Sequence, residues 1–497
     1  MDSPTRHLTK SRFLAGRRCP KRLWLGCHQP DRAAPLPDGV LAIRKMGDQI
    51  GRHAHNLFPD GVLVEAGPRE HALAVLKTKK LMADPAVTAI FEAAFEHAGV
   101  RARVDIVERL DGGGWGLREV KAASRLKDVY IEDVAIQCWV LEGGGIRLDS
   151  VELVHVNSAF ERDHGDIAWD EFFSRIEIAD EVRTFSKMLP PLIDDFLGVI
   201  AAGESPEVEP SLHCRARHLC EYWDHCTRDK SEDWILRMPR ITRKQFDSLS
   251  EAGIARVVDI PEDISLQRSQ RHMCEAVRAG RDFVEHGLAE RLPSTGPPAS
   301  YLDFETANPA VPMYPGTHPF QNIPFQWSLH RDSGDGRLVH REFLADATGD
   351  PRREFCETLL AAVRDRDDPI LVYSPFESRV LENLAVTFAD LSDAIRAVRA
   401  RLVDLLPIVR DCIYHVDFHG SFSIKSVAPA LAPGFGYGDL DGVAEGGVAA
   451  AAFHEIVSGE SNPERDARLR EQLLAYCARD TLALVQVHRA LRERVSD

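Results

Sequence analysis

Leu117-Arg118-Glu119-Val120-Lys121 ends a run that reads as a buried strand and sets a carboxylate and an amine two residues apart. Side chains alternate along a strand, so Glu119 and Lys121 share one face while Val120 points to the other. Upstream, Val104-Asp105-Ile106-Val107 reads as the preceding strand, and Asp111-Gly112-Gly113-Gly114 as the hairpin turn between the two. An acid on one strand and an acid–amine pair on the next is the set that metal-assisted phosphodiester hydrolysis requires. The carboxylates hold a divalent ion, and the lysine orients water or meets the charge that develops on phosphate. A surface hairpin with a Glu–Lys pair has the same local pattern, so the rest of the chain must separate the two.

At 497 residues the chain has room for about two to four domains, each able to bury a core. Its 44% hydrophobic and 28% charged residues are those of an ordinary soluble globular protein. A formal net charge of −16 argues against indiscriminate coating of nucleic acid and leaves a local basic groove open. Met1 to His7 carries no apolar signal core, and no apolar run is long enough to span a bilayer, so the expectation is a cytoplasmic protein without a membrane partner. No G-x-x-x-x-G-K-[ST] motif marks an ATP motor.

Outward from the hairpin, residues 86–98 read as helical, with Glu92 among them. Tyr130 to Leu141 reads as a helix carrying Gln137, and Val151 to Val156 as a third strand. This order suits a mixed α/β core. Residues 41–58 look helical and contain His53 and His55; of the two, His55 is preferred as a metal ligand. Nearer the start, Leu8 to Leu14 and Arg17 to Leu25 form a short basic helix, a Cys-Pro and an apolar segment. Residues 176–203 form an amphipathic helix broken at Pro190-Pro191.

Ten cysteines in a reducing compartment are not a disulfide framework. Cys214, Cys220 and Cys226 follow one another at intervals of five intervening residues, and such a cluster points to metal. Three thiolates leave a tetrahedral or cluster site one ligand short; Cys19 is the natural fourth and Cys27 its rival. Zinc sites favour C-x₂₋₄-C pairs, which neither interval matches, so a [4Fe-4S] cluster is preferred and Zn²⁺ is the alternative. Such a site would staple the two ends of the first domain together. Cys138, Cys274, Cys356, Cys412 and Cys477 stand apart and read as packing residues.

Residues 236–298 read as a helical linker, and Ile241 to Asp259 has the cadence of a helix-hairpin-helix. Arg291 to Pro298 marks a domain boundary by composition. Beyond it, Asp303 and Glu305 share a strand face. Strands follow at Ile323–His330 and Val339–Leu344, a helix from about Arg352, and a strand at Ile370–Tyr373 that runs into a helix carrying Glu377. In the final helix Tyr476 and Asp480, four apart, lie on one side.

Asp105, Glu119-Val120-Lys121 and Gln137, with the cysteine arrangement, resemble the RecB-like PD-(D/E)XK nucleases that carry an iron–sulfur staple. By that likeness Asp105 and Glu119 bind metal with His55, Lys121 assists catalysis, Gln137 sits near the nucleophile or DNA, and Cys19, Cys214, Cys220 and Cys226 hold the cluster. Asp303-x-Glu305, Tyr373 to Glu377 and Tyr476-x-x-x-Asp480 resemble the three motifs of the DEDD 3′–5′ exonucleases of ribonuclease-H-like fold, with glutamate at 377 where aspartate is usual. There Asp303, Glu305, Glu377 and Asp480 would cage two ions, Mg²⁺ by default or Mn²⁺, and Tyr476 would orient water. The combination resembles a bacterial family that joins the two modules. The expected architecture is α/β: a restriction-endonuclease-like mixed-sheet domain at 1–235, the linker at 236–298, and a ribonuclease-H-like domain at 299–497. The expected activity is a nuclease acting on nucleic acid, DNA before RNA, in repair, recombination or defence, with a helicase or repair protein as a further partner. A nucleic-acid-binding scaffold with one or both folds inactive is the competing expectation.

Overall fold

The hairpin at Asp111–Gly114 is present in the computed structural model, which describes residues 7–496 except 68, 217, 347, 365, 441, 444 and 460. The chain divides into two compact units, Met1–Asp229 with Pro309–Gln321, and Lys230–Asn308 with Asn322–Asp497. Both are mixed α/β. The division falls after residue 229 rather than 235. Residues 236–298 lie inside the second unit instead of forming a separate linker. Among the described residues, no helix is long and apolar enough to cross a membrane.

The first unit begins with β1 (Leu8–Thr9), α1 (Lys10–Arg18), α2 (Pro20–His28), α3 (Asp38–Ala54), β2 (Val62–Leu63) and α4 (His71–Ala83). Next come β3 (Ala89–His97), β4 (Val100–Arg109), β5 (Trp115–Lys121), α5 (Asp128–Gly143) and β6 (Leu148–Val156). The short α6 (Trp169–Phe172), β7 (Phe173–Glu177), α7 (Ala179–Ser186), α8 (Leu189–Ala201) and α9 (Trp223–Thr227) complete it. The sheet runs β2-β3-β4-β5-β6-β7, with β1 paired to β4. β3, β4 and β5 are antiparallel neighbours, and β5 and β6 run parallel.

Two expectations change here. Residues 86–98 hold a strand, β3, not a helix. Their alanines and glutamates favour helix locally, but β3 pairs with β4 from Ala89–Glu108 to His97–Val100 and buries most of its side chains. Sheet pairing and burial override the local propensity. The break in the 176–203 helix falls at Lys187–Met188, ahead of the prolines. Pro190 and Pro191 stand in the first turn of α8, where no intrahelical N–H bond is lost.

The second unit opens with α10 (Arg243–Glu251), α11 (Arg268–Ala279), β8 (Phe283–Val284) and α12 (Leu288–Arg291). β9 (Ala299–Ala307), β10 (Ile323–Asp332), β11 (Leu338–Leu344), α13 (Arg352–Val363), β12 (Ile370–Val372), α14 (Phe376–Thr387) and α15 (Ser392–Ala400) follow. β13 (Leu402–Asp404), α16 (Leu405–Cys412), β14 (Ile413–Tyr414), α17 (Ile424–Leu431), α18 (Gly446–Ser458) and α19 (Pro463–Ser496) end it. α10 carries a full capping box, with Thr242 and Gln245 each bonding the other's backbone. Pairing of β8 with β14 and a buried Met273 and Cys274 bind this helical stretch to the rest of the unit.

The main sheet here has the order β11-β10-β9-β12-β13. β9 is central, antiparallel to β10 and parallel to β12. Leu302 and Phe304 of β9 join a core with Phe355 and Leu359 of α13 and Leu381 and Leu384 of α14. Asp303 and Glu305 have the opposite parity and so face the other side of the sheet.

Candidate metal centres

In the second unit four acids from three elements converge. Asp303 and Glu305 come from β9, Glu377 from the first turn of α14, and Asp480 from the middle of α19. Glu305, Glu377 and Asp480 are buried, at 6%, 4% and 8% relative exposure. Burial, and then the charge of Asp480, pushes the Glu305 carboxyl up to about 8. Glu377 rises to about 7, chiefly through burial. Asp303 lies well above its ordinary value through burial and the charges of Asp480, Glu305 and Glu377. Acids that resist ionising together are a site short of positive charge.

The partners around these acids are specific. The Tyr437 hydroxyl donates to Asp480 Oδ1 at 2.7 Å, and Tyr476 also hydrogen-bonds Asp480. Lys425 Nζ lies 4.8 Å from the centre of the Tyr476 ring, and its charge lowers Glu305 and Asp480. Ser374 Oγ donates to Glu377 Oε2 at 3.3 Å. Cys477, expected as a packing residue, has its sulfur 3.6 Å from Asp303 Oδ2. Asp303, Glu305 and Cys477 offer ligand atoms within 4.8 Å of one another, which fits a cation. Asp404, at the end of β13, is a further acid whose charge bears on Glu377.

In the first unit the strand register sets Asp105 of β4 beside Glu119 of β5, one step beyond the Ile106–Arg118 pair. Asp105 Oδ2 accepts from the Val120 backbone N–H at 2.8 Å. Glu119 is fully buried. Its Oε2 accepts from Gln137 Nε2 at 2.8 Å, and its Oε1 accepts from Lys10 Nζ at 3.0 Å and from Lys121. Lys121 also reaches Asp133 Oδ2 at 2.7 Å. Burial works against ionisation of Glu119, yet Lys10 and Lys121 hold it well below the usual carboxylate range. Burial and then the Glu119 charge push Asp105 up to about 7. Among the described residues Gln137 Oε1 is buried without a hydrogen-bond partner, and Asp133 Oδ1 has only the ammonium of Lys10, 3.5 Å away. The unpaired amide oxygen beside these carboxylates fits a cation or a polar substrate.

The charge that bears on His55 is that of Arg52, not of Asp105 or Glu119. His55 lies on the 3₁₀ turn after α3 with its ring stacked flat on Phe91, centroids 3.9 Å apart. The structure does not join it with Asp105 and Glu119 in one close set of ligand atoms among the described residues.

Cys19, Cys214, Cys220 and Cys226 line one small pocket with Arg18, Lys21 and Arg22. Cys19 caps α1 and starts α2, Cys214 lies on a 3₁₀ turn, and Cys226 is on α9. The Cys220 backbone N–H bonds the Cys214 carbonyl at 2.8 Å. Cys27, the rival, packs against the main core of the unit instead. Burial raises the Cys214 and Cys226 thiols and takes Cys220 to about 11, so a soft cation would have to displace protons to bind. Three cationic side chains around four thiols suit a group that turns them into thiolates.

Sequence reasoning missed Lys10, Asp133, Lys425, Tyr437 and Asp404. Tyr437 stands in Gly434-Phe435-Gly436-Tyr437-Gly438, whose glycines signal a loop and nothing of its contact with α19. Among known proteins, residues 300–423 match a family model described as "Domain of unknown function (DUF2779)". That match takes in Asp303, Glu305 and Glu377 and ends before Tyr476 and Asp480. No curated protein matches the chain. A solved structure titled "Crystal structure of SSO0001" is 14% identical and covers 46% of this chain and 90% of its own, with a TM-score of 0.20. At that score the likeness decides nothing about fold or function.

Proposed function

We propose that the chain is a metal-dependent nuclease with two sites, a RecB-like PD-(D/E)XK site in the first unit and a DEDD-type ribonuclease-H-like site in the second. The observation that carries this is the gathering of Asp303, Glu305, Glu377 and Asp480 from three elements in one buried group, whose carboxyls burial and one another's charge hold above their ordinary range. A central strand bearing two acids, flanked by an antiparallel pair and two parallel strands, supports the ribonuclease-H-like reading. Adjacent β4 and β5 bearing Asp105 and Glu119-x-Lys121, followed by α5 with Gln137, support the other.

Divalent cations, Mg²⁺ or Mn²⁺, would supply charge for the scissile phosphate and activation of water. Asp303, Glu305, Glu377 and Asp480 would hold them, and Tyr476, tied to Asp480, would orient the attacking water. Lys425, over the Tyr476 ring, is on hand to meet the phosphodiester charge. At the other site Asp105 and Glu119 are the ligands, Lys121 the cation that meets the substrate, and Gln137 the group that fixes Glu119. Cys19, Cys214, Cys220 and Cys226 would hold a [4Fe-4S] cluster. The five-residue intervals between Cys214, Cys220 and Cys226, unlike the C-x₂₋₄-C pairs of zinc sites, favour the cluster over Zn²⁺. DNA is the preferred substrate, and a helicase or repair protein the preferred partner.

The test is degradation of labelled single- and double-stranded DNA and RNA with Mg²⁺ or Mn²⁺ by the parent, Glu119→Ala, Asp303→Ala and the double variant. Each single variant should lose part of the cleavage and the double variant all of it. Cleavage unchanged in the double variant, or none by the parent on any substrate, would leave a binding scaffold. Anaerobic purification should give a brown protein; a colourless one with stoichiometric zinc overturns the cluster.

A further inference from the structure

Lys10 lies far from every motif in the sequence, yet it reaches the Glu119 group. Its Nζ is 3.0 Å from Oε1 of Glu119, 109 residues away along the chain, and 3.5 Å from Asp133 Oδ1. The group thus has two ammonium groups, since Lys121 contacts the same two acids. One lysine suffices to satisfy Glu119 and orient it. The two amines face three acids, Asp105, Glu119 and Asp133, so a divalent cation held by Asp105 and Glu119 would leave the group with positive charge to spare for a phosphodiester.

We infer that Lys10 is a substrate-facing residue of this site, a second cation for the phosphodiester beside Lys121, delivered by the helix whose other end is fixed at the thiol pocket. This rests on the nuclease reading of the first unit. The delivery is built into α1. Leu8 and Thr9 pair in parallel with Val100 and Arg101 of β4, which fixes the start of the helix at Lys10. Thr9 caps it by accepting from the Arg12 N–H at 3.3 Å. At its far end, about 14 Å away at 1.5 Å per residue, Cys19 closes the helix and lines the thiol pocket. Arg18 locks that end by donating to the carbonyls of His213, Cys214 and His218, at 2.9, 2.8 and 2.6 Å. A nine-residue helix held at both ends gives the Lys10 side chain, only a quarter exposed, one place to go. The buried acids keep the Lys10 ammonium charged against the cost of its own burial, so the anchored helix holds a full positive charge at the site.

The test is binding of a fluorescein-labelled single-stranded oligonucleotide, read by anisotropy in Ca²⁺ over a NaCl series. It uses full-length protein carrying Asp303→Ala, so that the second site is constant. Lys10→Ala should weaken binding roughly tenfold, and the slope of log K against log salt should shallow by about 0.7, the value for one phosphate contact on a single strand. Lys10→Arg should restore most of the affinity. The visible absorbance of the thiol-bound group should not change. If Lys10→Ala melts lower than the parent, Lys10→Gln takes its place, since it keeps a donor to Glu119 without the charge. Affinity and salt slope unchanged in Lys10→Gln, while Lys121→Ala weakens binding, would make Lys10 a structural counter-ion and overturn the inference alone. A parent that binds no nucleic acid would overturn the nuclease reading and Lys10's role with it.

Discussion

Replacing Glu305 by glutamine should stabilise the cation-free protein, against the usual cost of removing a buried side chain's partners. A carboxyl displaced from 4.5 to about 8 carries more protons folded than unfolded. Its ionisation therefore costs nothing below pH 4.5, costs more as pH rises through the interval, and costs the full amount above pH 8. At 1.36 kcal/mol per pH unit the displacement corresponds to roughly 4 to 5 kcal/mol at pH 8. Asp303, Glu377 and Asp480 share that burden, so removing one acid relieves only part of it, about 1 to 3 kcal/mol. In a unit of this size that is some 3–8 °C in Tm. Differential scanning calorimetry of parent and Glu305→Gln in chelator should show the gain at pH 8 and little of it at pH 5. Adding Mg²⁺ or Mn²⁺ should raise the parent and barely move the variant, since a ligand that binds only the folded state stabilises in proportion to its affinity. A variant that melts at or below the parent at pH 8, with a parent indifferent to both cations, would refute the claim that these acids repel one another for want of a cation.

Tyr437→Phe removes the hydroxyl that donates to Asp480 Oδ1; Mn²⁺ affinity by calorimetric titration should fall about 10- to 100-fold, with the fold unchanged by circular dichroism. Gly420 has φ +80°, and a Cβ there would lie 1.7 Å from the Arg237 carbonyl oxygen, so Gly420→Ala should lose more than about 3 kcal/mol in urea unfolding. Cys220→Ser should abolish the broad visible absorbance of anaerobically purified protein and lower the melting temperature of the first unit, because metal binding is part of its folding energy. Cys27→Ser should leave the absorbance in place, as Cys27 packs in the core and not around the pocket.

The legible part of this protein was local. The Asp111–Gly114 turn, the parity that puts Glu119 and Lys121 on one strand face, and the spacing that puts Tyr476 and Asp480 on one side of a helix are set by residues within a few positions of one another. The pairing of Asp303 with Glu305 on β9 has the same origin. Glycines, strand period and helix period are written in the chain and need no tertiary context. The same local rules misread 86–98, because alanine and glutamate favour a helix until a neighbouring strand takes up the backbone bonds.

What only the tertiary structure decided is which distant groups meet. Lys10 and Glu119 are joined by a parallel pairing of two residues with β4 and by a helix held at its far end, neither of which leaves a mark near Lys10. Tyr437 reaches Asp480 from a loop whose glycines say only that it turns. The pKa displacements of Glu305, Glu377 and Asp105 come from burial and from charges brought in by other elements. Desolvation and Coulomb energy depend on distance in space, and separation along the chain does not encode it.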